Sequence, residues 1–319
     1  MKPVKLIIGM TVLIATAMEL SGSAQQQPVP SAPPVATFKS SIDLVRVSAV
    51  VRDRKGRFVR DLAVRDFEVI DGGVNRRIQD FRSDDSAVSI ALLFDASGSM
   101  ESRMGQAREA AEHLLSWMNF RGDEAAIFTF DTRLEEVMPF TEGLERLPST
   151  MASVAPFGAT SLHDAVARTA EKTATREGLR RAVVVFTDGR DNASRLTAGE
   201  VSGIASSIDV PVYIVGIVPS IDNPSSEFST TTHERSALSG PLSDLATWTG
   251  GRAFVASSVG DRSQTARQIV DELRHQYLIA FESSGKPGWH PLEVRAKDKD
   301  LTVRARSGYI AGQSRPISD

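Results

Sequence analysis

The chain has 319 residues, 41% hydrophobic and 24% charged, which is enough apolar side chain for a sizeable core and more than one folding unit. A formal net charge of -3 without any Lys/Arg block excludes the electrostatic footprint of a nucleic-acid-binding protein. There is no cysteine, so disulfides, thiol chemistry and a lipid on such a residue are all excluded.

Lys2 and Lys5 precede an apolar stretch from Leu6 to Met18, and Gly22, Ser23 and Ala24 offer small side chains to signal peptidase. This predicts a signal peptide over 1–24 and an exported protein of the periplasm or the exterior. A retained anchor is the competing reading, for which the stretch is short of the roughly 20 apolar residues a span needs. Membrane contact is then confined to export. Residues 25–38, rich in Pro, Gln and Ala, predict a flexible linker.

Over 39–84 the patterns are short and β-like. Val45, Val47 and Ala49 alternate with Arg46, Ser48 and Val50, the period of a strand with one buried face, and Asp71-Gly72-Gly73 marks a turn. From Ser86 the organisation changes. SIALLFD, EAAIFTF, RAVVVFTD and VPVYIVGIV are nearly all-apolar runs, as expected of strands covered on both faces, and they alternate with stretches of helical period. Met104 to Trp117 is the clearest of these, with Ala107, Ala110, Ala111, Leu114 and Leu115 on one face. The prediction is an α/β fold, a doubly wound, mostly parallel sheet over 86–262. Residues 263–283 then read as a connecting helix and strand, and HPLEVRAKD with LTVRARSGYI as a C-terminal β hairpin over 284–315. The hairpin is expected to pair with the N-terminal β segment into one small antiparallel unit, into which the α/β domain is inserted. Arg295, Arg304 and Arg306 are expected on its solvated face.

Sheets of this kind bind ligands at the carboxyl ends of their strands. Three loops meet there: DASGS after SIALLF, FGATSLHDA entering a helix, and TDGRDN after RAVVVF. They carry Asp95, Ser97, Ser99, Thr160 and Asp188, an all-oxygen set that selects Mg, Mn or Ca over zinc or copper. Gly98 is expected to let the backbone turn closely among them. An isolated Asp-x-Ser-x-Ser is also what a helix start looks like, since Asp and Ser are favoured N-caps.

DASGSM, with Thr160 in GATSLHDA and Asp188 in VVVFTDG, resembles the metal-ion-dependent adhesion site of von Willebrand factor type A domains, as found in integrins and many bacterial surface proteins. The flanking VRVSAVVRDRKGRFVRDLAVRDFEV, RHQYLIAFES and LTVRARSGYI look like the bacterial von Willebrand factor type A-related group known chiefly from acidobacterial genomes, so the resemblance spans roughly residues 40 to 311. It implies that Ser97 and Ser99 bind Mg2+ (or Mn2+ or Ca2+) directly, that Asp95, Thr160 and Asp188 bind it directly or through water, and that an open position accepts an Asp or Glu of a protein partner. No small-molecule substrate and no catalytic residue is implied.

Two rival readings stand beside it. A Mg-dependent phosphatase also starts from a strand ending in aspartate, but it needs a second aspartate two residues on, where this chain has Ser97; a serine hydrolase would need a Gly-x-Ser-x-Gly elbow, which neither Ser97 nor Ser99 has. A scaffold whose cation only stabilises the fold would need no open position. Arg121-Gly122-Asp123 spells an integrin-recognition tripeptide but falls between a helix and EAAIFTF, where Gly122 caps and Asp123 turns the chain. His113, His163 and His275 read as surface packing, although His163 lies beside Thr160. The Ser/Thr-rich loop at 219–240, with Glu227 and Glu234, is long enough to border the site or to be an inconsequential insertion.

Overall fold

A computed structural model describes residues 44–83, 86–176, 180–207, 209–218 and 240–311. The expected signal peptide, the linker, residues 39–43 and all of the 219–240 loop except Gly240 lie outside the described residues. Among the described residues no helix is long and apolar enough to cross a membrane.

The α/β domain is a six-stranded sheet: β5 (Val88–Asp95), β6 (Glu124–Phe130), β7 (Leu134–Glu142), β8 (Arg180–Thr187), β9 (Val212–Ile217) and β10 (Ala253–Ala256), in the spatial order β10-β9-β8-β5-β6-β7. All neighbours are parallel except the antiparallel edge strand β7. Every residue of β5 is buried, which explains its unbroken apolar run. Ile90, Leu92 and Phe94 point to one face, where they pack with α1 (Met104–Trp117) and the later helix α5 (Val259–Arg274). Ala91 and Leu93 point to the other, against α2 (Leu162–Ala174), α3 (Ala198–Ser207) and α4 (Pro241–Trp248). The fold is therefore doubly wound. From β5 the chain moves to β6 on one side and later to β8 on the other, so the order reverses between β5 and β8, and their carboxyl ends flank the crevice where such sheets bind ligands.

The helix α5 differs from its expectation as a mere connection. Its Ala266, Ile269, Val270 and Leu273 are buried in the sheet's core, and Arg262 pairs with Glu109 of α1 at 2.7 Å. It begins in a capping box: Ser258 Oγ accepts from the Asp261 N–H, and Asp261 Oδ2 accepts from the Ser258 N–H and the Ser257 hydroxyl. Burial pushes the Asp261 carboxyl up, but the hydrogen bonds from Ser257 and Ser258 outweigh it and hold the group below the ordinary aspartate value. A folded value below the unfolded one means stability that is present above about pH 4 and lost as pH falls through the lowered value. Asp261→Ala is expected to cost about 1 kcal/mol at neutral pH and less in acid. Urea titrations at the two pH values check this, and an equal cost at both would contradict it.

The flanking segments build two four-stranded sheets. One has the order β13-β1-β11-β4, from β1 (Leu44–Arg52), β4 (Ile78–Arg82), β11 (Gln276–Glu282) and β13 (Thr302–Ala305). The other has the order β14-β12-β2-β3, from β2 (Phe67–Asp71), β3 (Val74–Arg76), β12 (Gly288–Ala296) and β14 (Gly308–Ala311). Val47, Ala49, Phe67, Val69, Tyr277, Phe281, Val294 and Tyr309 share one core between them. N-terminal and C-terminal segments do pair, β1 with β13 and β2 with β12. The expected terminal hairpin, however, does not form: β12 pairs with β14 and β2, while β13 leaves for β1 in the other sheet. Two sheets closed on one core bury both apolar faces, which a single hairpin leaves half exposed.

The arginines of the last strands are also placed differently. Arg295 is exposed and paired with Glu293. Arg304 and Arg306 instead face the α/β domain. Arg304 pairs with Glu272 of α5, and the buried Arg306 lies 3.7 Å from Asp209 and donates to the Arg46 carbonyl. Ser48, on the polar face of β1, donates to the same Asp209. That face is an internal contact, so polar residues there are paired rather than solvated.

Candidate metal centre

The loop after β5 enters a short 3-10 turn, Gly98–Met100, before α1 begins. Ser97 precedes the turn in extended conformation and makes no side-chain cap; its N–H donates to Asp95 Oδ1 at 2.9 Å, and its Oγ lies 3.2 Å from Ser99 Oγ. The two serine hydroxyls are thus not consumed as helix caps, which removes the plain helix-start explanation for the motif.

Asp95 is fully buried. Its Oδ2 accepts from Thr187 Oγ1 at 2.7 Å, the residue just before Asp188 on the adjacent strand. Burial pushes the Asp95 carboxyl above the ordinary aspartate range; hydrogen bonds from Ser97 and Thr187 oppose this, and the charge of Asp188 adds to it. Asp188 follows Thr187 directly, so it stands just past the end of the strand adjacent to that of Asp95. Asp188, itself buried, receives Arg103 Nη1 on Oδ2 at 2.7 Å and the Arg190 N–H on Oδ1 at 3.3 Å.

Thr160 is held between both loops by backbone. The Gly98 N–H donates to Gly158 O and the Phe157 N–H to Ala96 O, while the Thr160 N–H donates to Asn192 Oδ1 and Thr160 O accepts from the N–H groups of Asn192 and Ala193. The buried Thr160 hydroxyl forms no hydrogen bond to Asp95, Ser97, Ser99 or Asp188 among the described residues. The structure thus joins Asp95, Ser97 and Ser99 by direct hydrogen bonds, couples Asp95 to Asp188 electrostatically, and brings in Thr160 through its segment.

Thr187, Arg103 and Asn192 complete this edge. Asn192 acts as the brace of the Thr160 segment, by accepting the Thr160 N–H on Oδ1. Gly98 is not where space is tight, since a Cβ there would meet Gly158 O at an ordinary 3.6 Å; the left-handed position is Gly158, at φ +82°. His163 Nδ1 lies 3.2 Å from Asp191 Oδ2, and the His163 N–H donates to the same oxygen at the start of α2. Asp123 of the Arg-Gly-Asp tripeptide is buried, accepting from the Val88 and Phe120 N–H groups and from Arg274. It is a structural turn, with Gly122 at φ +88° beyond a helix that already ends at Trp117, and not the cap of that helix.

The donor set suits a hard cation. Ligands about 2.0–2.1 Å from an octahedral magnesium ion lie about 3 Å from one another, close to the Ser97–Ser99 oxygen separation. The paired Arg103 demonstrates that Asp188 already takes a positive partner. Among the described residues no three His, Cys, Asp or Glu side chains gather into a metal-binding group, so a cation at this edge depends on hydroxyl ligands. One Ser/His/Asp grouping exists in the β sheets, but Ser284 Oγ and Asp71 Oδ1 both face His290 Nδ1, at 3.4 and 3.1 Å, and Nε2 faces the Lys286 carbonyl. A proton relay needs hydroxyl and carboxylate on opposite ring nitrogens, so this trio braces β12 against β2.

Residues 90–190, which hold all five site positions, match the family model described as the von Willebrand factor type A domain. Solved structures similar to this chain include an aerotolerance-related membrane protein from Bacteroides fragilis with multiple mutations to serines, at 18% identity and TM-score 0.45 over 59% of this chain and 98% of that one. Others are the conserved hypothetical protein BatB from Bacteroides thetaiotaomicron, at 17%, 0.46, 58% and 98%, and a von Willebrand factor type A protein from Catenulispora acidiphila, at 11%, 0.44, 87% and 76%. No curated protein matches the chain. The family match supports a protein-interaction role in general terms. Residues 90–190 are thus similar to von Willebrand factor type A domains, and the six-stranded sheet that holds them is accompanied by two sheets built from the flanking β segments.

Proposed function

We propose that this is an exported protein-binding module that captures an Asp or Glu of another envelope or extracellular protein through a divalent cation held at the β5/β8 crevice. The observation that supports it is the placement of two buried carboxylates, Asp95 at the end of β5 and Asp188 just beyond the adjacent β8, together with the hydroxyls of Ser97 and Ser99, which cap no helix. Ser97, Ser99, Thr160, Asp95 and Asp188 would hold the ion, Mg2+ first and Mn2+ or Ca2+ as substitutes. When bound, the cation supplies a Lewis-acidic position for an incoming carboxylate. The Asp95 oxygens are already turned to the Ser97 N–H and Thr187, which fixes the loop that presents the two serines. Arg103 offsets part of the Asp188 charge, so the site's own residues leave the cation under-neutralised and receptive to an acidic partner.

The test is capture of partner from envelope extract by the mature protein, with and without chelator, beside Ser99→Ala. Capture lost in chelator and in the variant is expected. Capture indifferent to both would leave the cation, if any, a merely stabilising one.

A further inference from the structure

A groove of 360 Å³ lies along the start of α2 beside the β6–β7 turn, and it opens next to the candidate metal centre. Two of its lining residues, Ser161 and Ala193, flank Thr160 directly: one follows it in sequence and the other donates its N–H to the Thr160 carbonyl. The groove is also lined by Arg133, Arg168 and Arg195, from three different segments, and all three are exposed. Their guanidinium groups make no ion pair or hydrogen bond among the described residues, in contrast to Arg52, Arg76, Arg103, Arg176, Arg262 and Arg274, each of which has a carboxylate. The one acid in the lining, Asp164, is already committed, because its oxygens accept the N–H groups of Arg195 and Leu196. Three positive charges therefore face one concave surface against a single carboxylate, and none of the three is ion-paired with it.

An apolar element adjoins it. Phe157, three residues before Thr160, is 81% exposed, the most exposed large apolar side chain among the described residues. Its backbone is fixed to the serine loop by the bond to Ala96 O, so the ring is presented from an ordered segment. Aromatic residues, phenylalanine among them, and arginine are enriched at protein interfaces.

From this placement we infer that the domain recognises an acidic stretch of its partner rather than a single carboxylate. One acid goes to the cation, an apolar neighbour packs on Phe157, and further Asp or Glu side chains run into the Arg133–Arg168–Arg195 groove. This rests on the metal-dependent reading for the first contact only. An exposed ion pair contributes about 0.2–1 kcal/mol, so three together give roughly a tenfold change in affinity, and most of that is sensitive to salt.

The probe is a fluorescein-labelled peptide, Gly-Leu-Glu-Leu-Gly-Glu-Glu-Asp-Glu-Gly, read by anisotropy in magnesium chloride, with a control peptide in which the last four acids are Gln or Asn. The combined variant Arg133→Gln, Arg168→Gln, Arg195→Gln is expected to bind the acidic peptide about tenfold more weakly, with a shallower salt dependence, and to bind the control as wild type does. Phe157→Ser is expected to weaken both peptides. The substituted side chains are all exposed, and an unchanged melting temperature confirms folding. If chelator abolishes binding but the arginine variant matches wild type, the groove proposal is overturned and the metal reading stands. If the arginine variant weakens binding and chelator does nothing, the groove stands and the metal reading falls. Absence of wild-type binding, or inorganic polyphosphate displacing the peptide at far lower concentration than free acidic peptide does, overturns the acidic-segment assignment.

Discussion

Glu272→Ala is expected to destabilise the protein by about 3–5 kcal/mol, the cost of breaking a buried ion pair on one side. Glu272 has no exposed surface, and it receives Arg52 of β1 at 3.0 Å, Arg304 of β13, and Arg252 at 3.7 Å. Removing its carboxylate leaves three guanidinium groups facing one another around a desolvated position, beside the buried Tyr213 hydroxyl, whose ionisation is suppressed chiefly by burial and further by Glu272 itself. Because Arg52 and Arg304 come from the β sheets and Glu272 from α5, the loss falls on the contact between them and the α/β domain. Thermal unfolding of the variant should therefore broaden or divide relative to wild type as well as shift down, by on the order of 10 °C. Glu272→Gln keeps the shape and one acceptor and should lose less. Calorimetry on both variants decides; a Glu272→Ala protein that melts like wild type would show that the cluster is held by packing alone.

Asp95→Asn has the largest expected effect on function, and it separates binding from folding. The buried carboxylate of Asp95 is costly to ionise, since burial and the Asp188 charge both raise its pKa. An amide keeps an acceptor for the Thr187 hydroxyl or the Ser97 N–H without that charge. In chelator, Asp95→Asn is therefore expected to be at least as stable as wild type. In magnesium at about 100 times the dissociation constant, wild type should gain about 2.7 kcal/mol and the variant almost nothing. A magnesium-induced rise in melting temperature that survives Asp95→Asn would sink the assignment of the cation to this site.

Much of the α/β domain was legible because its signal is local. Strands covered on both faces must be apolar throughout, as in SIALLFD and RAVVVF, and helices covered on one face must repeat every three to four residues, as in Met104 to Trp117. The five oxygen-bearing side chains were legible for a related reason: each sits at a strand end or loop whose place at one sheet edge follows from the winding of a parallel sheet. The partition of the C-terminal strands was not legible. Alternation tells which residues of β12 and β13 share a face, but it does not tell which of several strands each will join.

The chain's own pattern determined a doubly wound sheet and the residue types that its loops carry to the carboxyl ends of β5 and β8. The tertiary structure alone decided that Arg304 and Arg306 turn inward to Glu272 and Asp209, that Arg103 reaches Asp188 across 85 residues of sequence, and that Arg133, Arg168 and Arg195 line one groove unpaired. The physical reason is that a charge in a sequence is silent about its partner: whether it is solvated, neutralised or left to attract another molecule depends on which distant segment folds against it.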